Sequence, residues 1–248
     1  MATVVEICCG GYYDALCAWQ GGAKRIELNS ALHLGGLTPS LATLIQVKKD
    51  TDLTVICMLR NRGGGFCFSE EDYFILKEDC RLMLEHGADG IAFGFLTADQ
   101  TIDLVKTKEI VTMIHSYHKT AVFHRAFDCV KDPMKAMCQL IEIGVDRVLT
   151  SGGKQTALLG TSLIKQLQDR YGSQIEILAG SGVNDKNVKD LLDQTGVKQV
   201  HSSCKGWLHD PTTMSSFISF GYDDNHPSDY DVVDVTLVKK LIQRVNEY

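Results

Sequence analysis

Eight short apolar runs punctuate the chain, and each stops at a polar residue or a glycine before a stretch with helical spacing. The runs are Val4–Cys8, Arg25–Leu28, Thr54–Leu59, Gly90–Phe93, Ala121–His124, Arg147–Thr150, Glu176–Ala179 and Lys198–His201. Strands alternating with helical patterns indicate βαβ units and a parallel sheet. Eight such units in 248 residues match the size and count of a TIM (β/α)8 barrel, an α/β fold that would take the whole of 1–248 as a single domain. Cap chemistry marks the helices between the runs. The first spans Tyr12–Gln20 and closes at Gly21 and Gly22; Ser40 caps the second. A long acidic helix covers Ser69–His86, with Glu70 and Glu71 at its positive end. The fourth spans Ile102–Tyr117, the fifth runs from Asp132-Pro133 to Gly144, the sixth covers Gln155–Tyr171, and the seventh begins at Asn184. Residues 202–233 break the rhythm and read as one long loop between the eighth strand and the last helix. A loop of that length is usually functional. Its aromatic content (Trp207, Phe217, Phe220, Tyr222, Tyr230) suits a lid over the barrel mouth or a contact between copies.

Composition narrows the class. A net charge of -6 with no basic tract argues against nucleic acid as a partner, without excluding a local anion site. The amino terminus lacks a basic region, Glu6 interrupts its apolar run, and no apolar stretch is long enough to cross a bilayer, so the expectation is a cytoplasmic protein with no membrane partner. The nine cysteines are odd in number, scattered, and free of any CxxC pair. In a reducing compartment they read mostly as small buried hydrophobes rather than as a zinc site or a disulfide framework.

A barrel of this kind places its chemistry at the C-terminal strand ends. Residues two apart on a strand share a face, so Glu6 goes with Cys8, Glu27 with Asn29, Met58 with Arg60, and Val122 with His124. If these sets face inward, the mouth collects two carboxylates, a guanidinium, an imidazole, a thiol and an amide. Burying such charges unpaired costs several kcal/mol each, so they must form a paired network. His124 is the candidate general acid or base, with Asp128 to orient it and Arg125 turned toward the helix layer. Glycines after the sixth and seventh strands suggest an anion site from Ser151, Gly152, Gly180, Ser181, Gly182 and Ser202, with backbone N–H groups at the start of the seventh helix. Cys8, Met58 and His201, with His124 nearby, are soft or borderline donors of the kind Cu(I) prefers, although their spacing carries no ligand signature.

The strand ends resemble the CutC family. The likeness runs through Val5-Glu6-Ile7-Cys8, Arg25-Ile26-Glu27-Leu28, Gly35 to Ser40, Arg60-Asn61-Arg62-Gly63-Gly64, His124-Arg125-Ala126-Phe127-Asp128, Leu149-Thr150-Ser151-Gly152 and Asp234-Val235-Thr236. The resemblance implies a TIM barrel, a cytosolic homo-oligomer (dimer or tetramer), and a part in copper homeostasis through cysteines near the first two strand ends. Cys8 keeps the first of those positions; the second is Asn29, a poor Cu(I) ligand.

Three functional expectations result. The first is a CutC-like copper homeostasis protein binding copper(I) at the barrel mouth through Cys8, Met58 and His201. The second is an enzyme acting by acid–base chemistry on a small anionic or phosphorylated metabolite, with Glu6, Glu27, Arg60, His124 and Asp128 as its working groups. The third is a non-catalytic oligomeric scaffold.

Overall fold

A computed structural model describes residues 3–248. Eight parallel strands close into a barrel in chain order: β1 (Val4–Cys9), β2 (Arg25–Leu28), β3 (Thr54–Met58), β4 (Gly90–Phe93), β5 (Thr120–Phe123), β6 (Arg147–Thr150), β7 (Glu176–Ala179) and β8 (Gln199–Ser202). Pairing of Glu6 with Arg25 on one side and with His201 on the other closes the ring through β1. The outer layer is α1 (Tyr12–Gln20), α2 (Leu41–Asp50), α3 (Glu70–Glu85), α4 (Leu104–Ser116), α5 (Pro133–Ile143), α6 (Thr161–Tyr171), α7 (Val188–Thr195) and α8 (Val235–Asn246). The TIM barrel expected from the pattern is the fold observed. None of these helices is long and apolar enough to cross a membrane.

Caps set the helix starts. Ser40, Ser69, Asp103, Asp132 and Asp234 each accept backbone N–H groups of the first turn, and Gly144 closes α5 at φ 92°, a conformation open to glycine without strain. The strand alternation splits the buried residues into two populations. Ile7, Cys9, Ile26, Leu28, Val55, Cys57, Ile91, Phe93 and Val148 belong to the main core between sheet and helices. Ile56, Met58, Ala92 and Val122 form a separate apolar cluster, as expected of residues that face the barrel interior.

The other half of the interior is ionic. Glu6 Oε2 lies 2.6 Å from Arg25 Nε and 3.9 Å from Arg147 Nη1. Arg25 Nη2 donates to Gln199 Oε1 at 2.6 Å, and Arg147 reaches Glu176 at the barrel bottom at 2.6 Å. These charges are tolerable in a dry interior because each has an opposite charge or an amide within contact.

Two elements differ from the sequence expectation. The helix after β7 begins at Val188 rather than Asn184, because residues 184–187 form a side-chain-stabilised turn. Asn184 Oδ1 accepts the Lys186 N–H and Asn187 Oδ1 accepts the Asn184 N–H. Residues 202–233 are not one loop. They contain an antiparallel pair, β9 (Lys205–His209) with β10 (Asp229–Val233), extended as an arm. Buried Asp14 anchors its base, accepting the N–H of Val233 at 2.9 Å and of Gly10 at 2.7 Å. Trp207 stacks on His226 at 3.5 Å and meets Tyr222 edge-on, whereas Phe217 and Phe220 stand 97% and 81% exposed.

Candidate functional site

A cavity of about 470 Å³ opens at the C-terminal strand ends. Its lining falls into chemical groups. Cys8, Glu27 and His201 form one cluster; Arg60, Arg125 and Lys205 are the other cations; His124 and Asp128 come from the segment after β5; Met58, Phe66 and Leu149 are apolar; Ser181, Gly182 and Ser202 lie after β7 and on β8. Three of the four residues expected to converge, Glu27, Arg60 and His124, do line this cavity. Glu6 does not. It sits below, fully buried, as the counter-ion that holds the floor together.

The first cluster is a relay of short contacts. His201 Nδ1 meets Glu6 Oε1 at 2.9 Å, and its Nε2 lies 3.9 Å from Glu27 Oε2. The Cys8 thiol donates to Glu27 Oε2 at 3.8 Å. Asn29 Nδ2 donates to Glu27 Oε2 at 3.0 Å and to Cys8 Sγ at 3.5 Å. Burial alone would raise the Glu6 carboxyl, but the His201 hydrogen bond and the Arg25 and Arg147 charges bring it down to about 2. Burial works against a charge on His201, yet Cys8, Glu27 and Glu6 hold the imidazole protonated well above its ordinary value. Burial pushes the Glu27 carboxyl up, with His201 opposing. It also pushes the Cys8 thiol up, against the same His201. The metal-free site therefore stores protons on His201 and Cys8 between two carboxylates. One ligand atom each from Cys8, Glu27 and His201 lie within 4.8 Å of one another, which makes a metal-sized cluster, and Met58 lines the same cavity.

His124 behaves differently from a general base. Its Nδ1 accepts the Ala126 N–H at 3.1 Å, and burial, with Arg60 and Arg125 adding, lowers its pKa to about 3. Asp128 does not orient it. Residues 125–129 form a 3-10 turn that carries the Asp128 carboxylate across to β6. There it accepts from Thr150 Oγ1 at 2.6 Å, from the Ser151 hydroxyl at 2.9 Å and from the N–H of Gly153 at 3.1 Å. Arg125 does not turn to the helix layer. It lines the cavity and spends its guanidinium on Asp128 at 2.9 Å and Ser151 at 2.9 Å. Arg60 donates to the carbonyls of Leu34, Gly36 and Gly64 at 2.9, 3.2 and 2.6 Å.

The helix start expected beside the glycine-rich anion site is absent. No helix begins at Gly182, since α7 starts at Val188. The N–H of Gly180 goes to the Thr150 carbonyl and that of Gly152 to the Thr150 hydroxyl. Ser151 is occupied by Asp128 and the Lys154 carbonyl. Ser181 and Ser202 line the cavity but donate their hydroxyls to the Gln155 and Val183 carbonyls. Sequence reasoning passed over Arg25, Arg147 and Gln199. The signal available was that each lies two residues before an inward-facing position, Glu27, Leu149 and His201. It also passed over Lys205, which sits where the arm leaves the barrel. Lys205 Nζ donates to the Tyr222 hydroxyl at 2.7 Å and lies 3.5 Å from Asp231.

Comparison with known proteins supplies the relatives. A family model described as CutC family matches residues 3–206. A family protein CutC of Treponema denticola is 46% identical over 212 residues, covering 86% of this chain and 85% of the relative. A copper homeostasis protein cutC homolog of Mus musculus is 39% identical over 241 residues, covering 96% and 88%. Among solved structures, the putative copper homeostasis protein CutC from Streptococcus agalactiae superposes with a TM-score of 0.76 at 29% identity, covering 81% of this chain and 98% of that one.

Proposed function

The chain belongs to the CutC family, and on that premise we propose that it serves copper homeostasis by holding Cu(I) in the barrel-mouth cavity, on Cys8 and His201 with Met58 as a third soft donor. The observation that carries this reading is the cluster of Cys8, Glu27 and His201 ligand atoms within 4.8 Å of one another. Thiolate, thioether and imidazole are the ligands Cu(I) prefers. A metal-ligating histidine commonly donates its other ring N–H to a carboxylate, which fixes the ring and its tautomer. His201 makes that contact through Nδ1 to Glu6 and leaves Nε2 on the side of Cys8 and Glu27. Asn29, where the resemblance implies a second thiol, supplies an N–H to Cys8 Sγ instead. Such a donor steadies the thiolate that a metal requires. Glu27 is a hard oxygen donor beside the soft pair, placed to close the coordination shell.

Copper enters this site as cargo, and its binding competes with protons on both Cys8 and His201. The test is a Cu(I) titration of the reduced protein against a competing chelator. The expected result is a single tight site whose affinity falls in Cys8→Ser by more than the roughly 10–100-fold that loss of an outer-shell partner costs, and falls again in His201→Gln. Undiminished binding by Cys8→Ser would remove the site from this cavity.

A further inference from the structure

The wall of the cavity opposite the thiol cluster carries two buried donors without a partner among the described residues. His124 Nδ1 accepts a backbone N–H from Ala126, so the neutral ring must carry its proton on Nε2. That Nε2 is buried and has no hydrogen-bond partner among the described residues. Arg60 has five N–H groups, of which three are spent on the carbonyls of Leu34, Gly36 and Gly64. Its Nε–H and one Nη2–H remain, and Nε is also buried without a partner among the described residues. The partners of this guanidinium are carbonyls and not carboxylates, so its full charge stands uncompensated in a buried position. An unsatisfied buried N–H costs about 1–3 kcal/mol, and more when charged. Two of them on residues that line one cavity describe a missing acceptor pair.

The two donors belong to one patch. The Phe66 ring packs 5.0 Å from the His124 ring and 5.1 Å from Arg60 Cζ. Phe66 rides on the segment after β3 that contains Gly63, Gly64 and Gly65, and it packs against both groups. The acceptor set they call for is a planar anion with two oxygens at Arg60 and a neutral oxygen at His124. We propose that this wall is a binding subsite for a small 2-oxo carboxylate, its carboxylate held by Arg60 and its oxo oxygen accepting the His124 Nε2–H. A carboxylate suits it better than a phosphate. Arg125 is committed to Asp128 and Ser151, Lys205 to Tyr222 and Asp231, and the N–H groups of Gly152 and Gly180 to Thr150. Among the cavity's side chains this leaves the Arg60 and His124 donors, which match two carboxylate oxygens and one neutral oxygen. Burial lowers the His124 pKa to about 3, with Arg60 and Arg125 adding, so the ring stays a neutral donor across the physiological range.

The subsite lies outside the copper donor set, and its test uses the full-length, metal-free protein. Pyruvate, acetate and inorganic phosphate are titrated by calorimetry into wild type, His124→Phe and Arg60→Gln, with 15N-histidine NMR alongside. Pyruvate is expected to bind about tenfold tighter than acetate, the worth of one good hydrogen bond. His124→Phe is expected to erase that ratio while keeping acetate affinity, and Arg60→Gln to lose both ligands. The His124 Nε2 proton resonance is expected to move with pyruvate and stay still with acetate. This NMR readout on the wild type decides the matter if a variant fails to fold. Equal binding of pyruvate and acetate, a ratio that survives His124→Phe, tighter binding of phosphate, or no binding at all would each overturn the proposal.

Discussion

Replacing Glu6 by Gln tests the ionic floor under the cavity. Glu6 is held at about 2 against an ordinary 4.5, a gap that at about 1.4 kcal/mol per unit makes its ionised form worth about 3 kcal/mol to the folded state. A second route gives a similar size. Removing one member of a buried ion pair costs about 3–5 kcal/mol because the partner stays buried and uncompensated, and here Arg25 loses its 2.6 Å carboxylate partner while Arg147 keeps Glu176. The sign follows from a depressed carboxyl. The stabilisation is complete above the unfolded value of 4.5 and is lost as pH falls from there toward 2. Urea unfolding of the metal-free proteins across pH provides the assay. The expected result is a variant less stable by about 3 kcal/mol near neutral pH, with a difference that shrinks steadily below the unfolded carboxyl value. Histidine NMR is expected to show the His201 pKa falling at the same time, since Glu6 is one of the groups that holds it up. A difference under about 1 kcal/mol at neutral pH, or one that does not change with pH, would refute the reasoning.

Glu27 carries the opposite sign: its carboxyl is raised by burial, so its ionised form burdens the fold as pH rises through and above the unfolded value, and Glu27→Gln is expected to raise the melting temperature of the metal-free protein at neutral pH while weakening metal binding. Copper(I) binding is expected to release about two protons, one each from Cys8 and His201, and to tighten as pH rises; calorimetry in buffers of different ionisation enthalpy measures the number, and a release near zero would contradict the proton-storing site. Asp14→Ala removes the acceptor for the N–H groups of Val233 and Gly10, so the arm between β9 and β10 is expected to be cut faster by limited proteolysis with the barrel left intact.

The barrel was legible because each strand buries both faces and therefore reads as a short apolar run with a polar residue at its mouth. Run boundaries differ from the strands by a single residue, as at Cys9, Thr120 and Ser202. The convergence of Glu27, Arg60 and His124 was legible for a related reason, since strand-end position in a closed barrel fixes it. What each side chain does there was not. The Glu6, Arg25, Arg147 and Gln199 network spans β1, β2, β6 and β8, and only closure of the barrel brings those charges together. His124 looked like a base beside an aspartate, but a local N–H from Ala126 takes its Nδ1 and the turn at 125–129 sends Asp128 to β6 instead. The arm escaped notice because β9 and β10 are mostly half-exposed or exposed and so lack the buried-strand signature. The Asn184 cap failed because its side chain stabilises a turn, which uses the same chemistry as a cap.

Anomalous diffraction at the copper edge, from crystals of the reduced protein loaded with one copper per chain, locates the metal without reference to any variant. A single copper peak is expected in the barrel-mouth cavity, within bonding distance of Cys8 Sγ and His201 Nε2, with the His201 Nδ1 contact to Glu6 preserved. A peak at any other cysteine or histidine, or a loaded cavity with no copper in it, would contradict it.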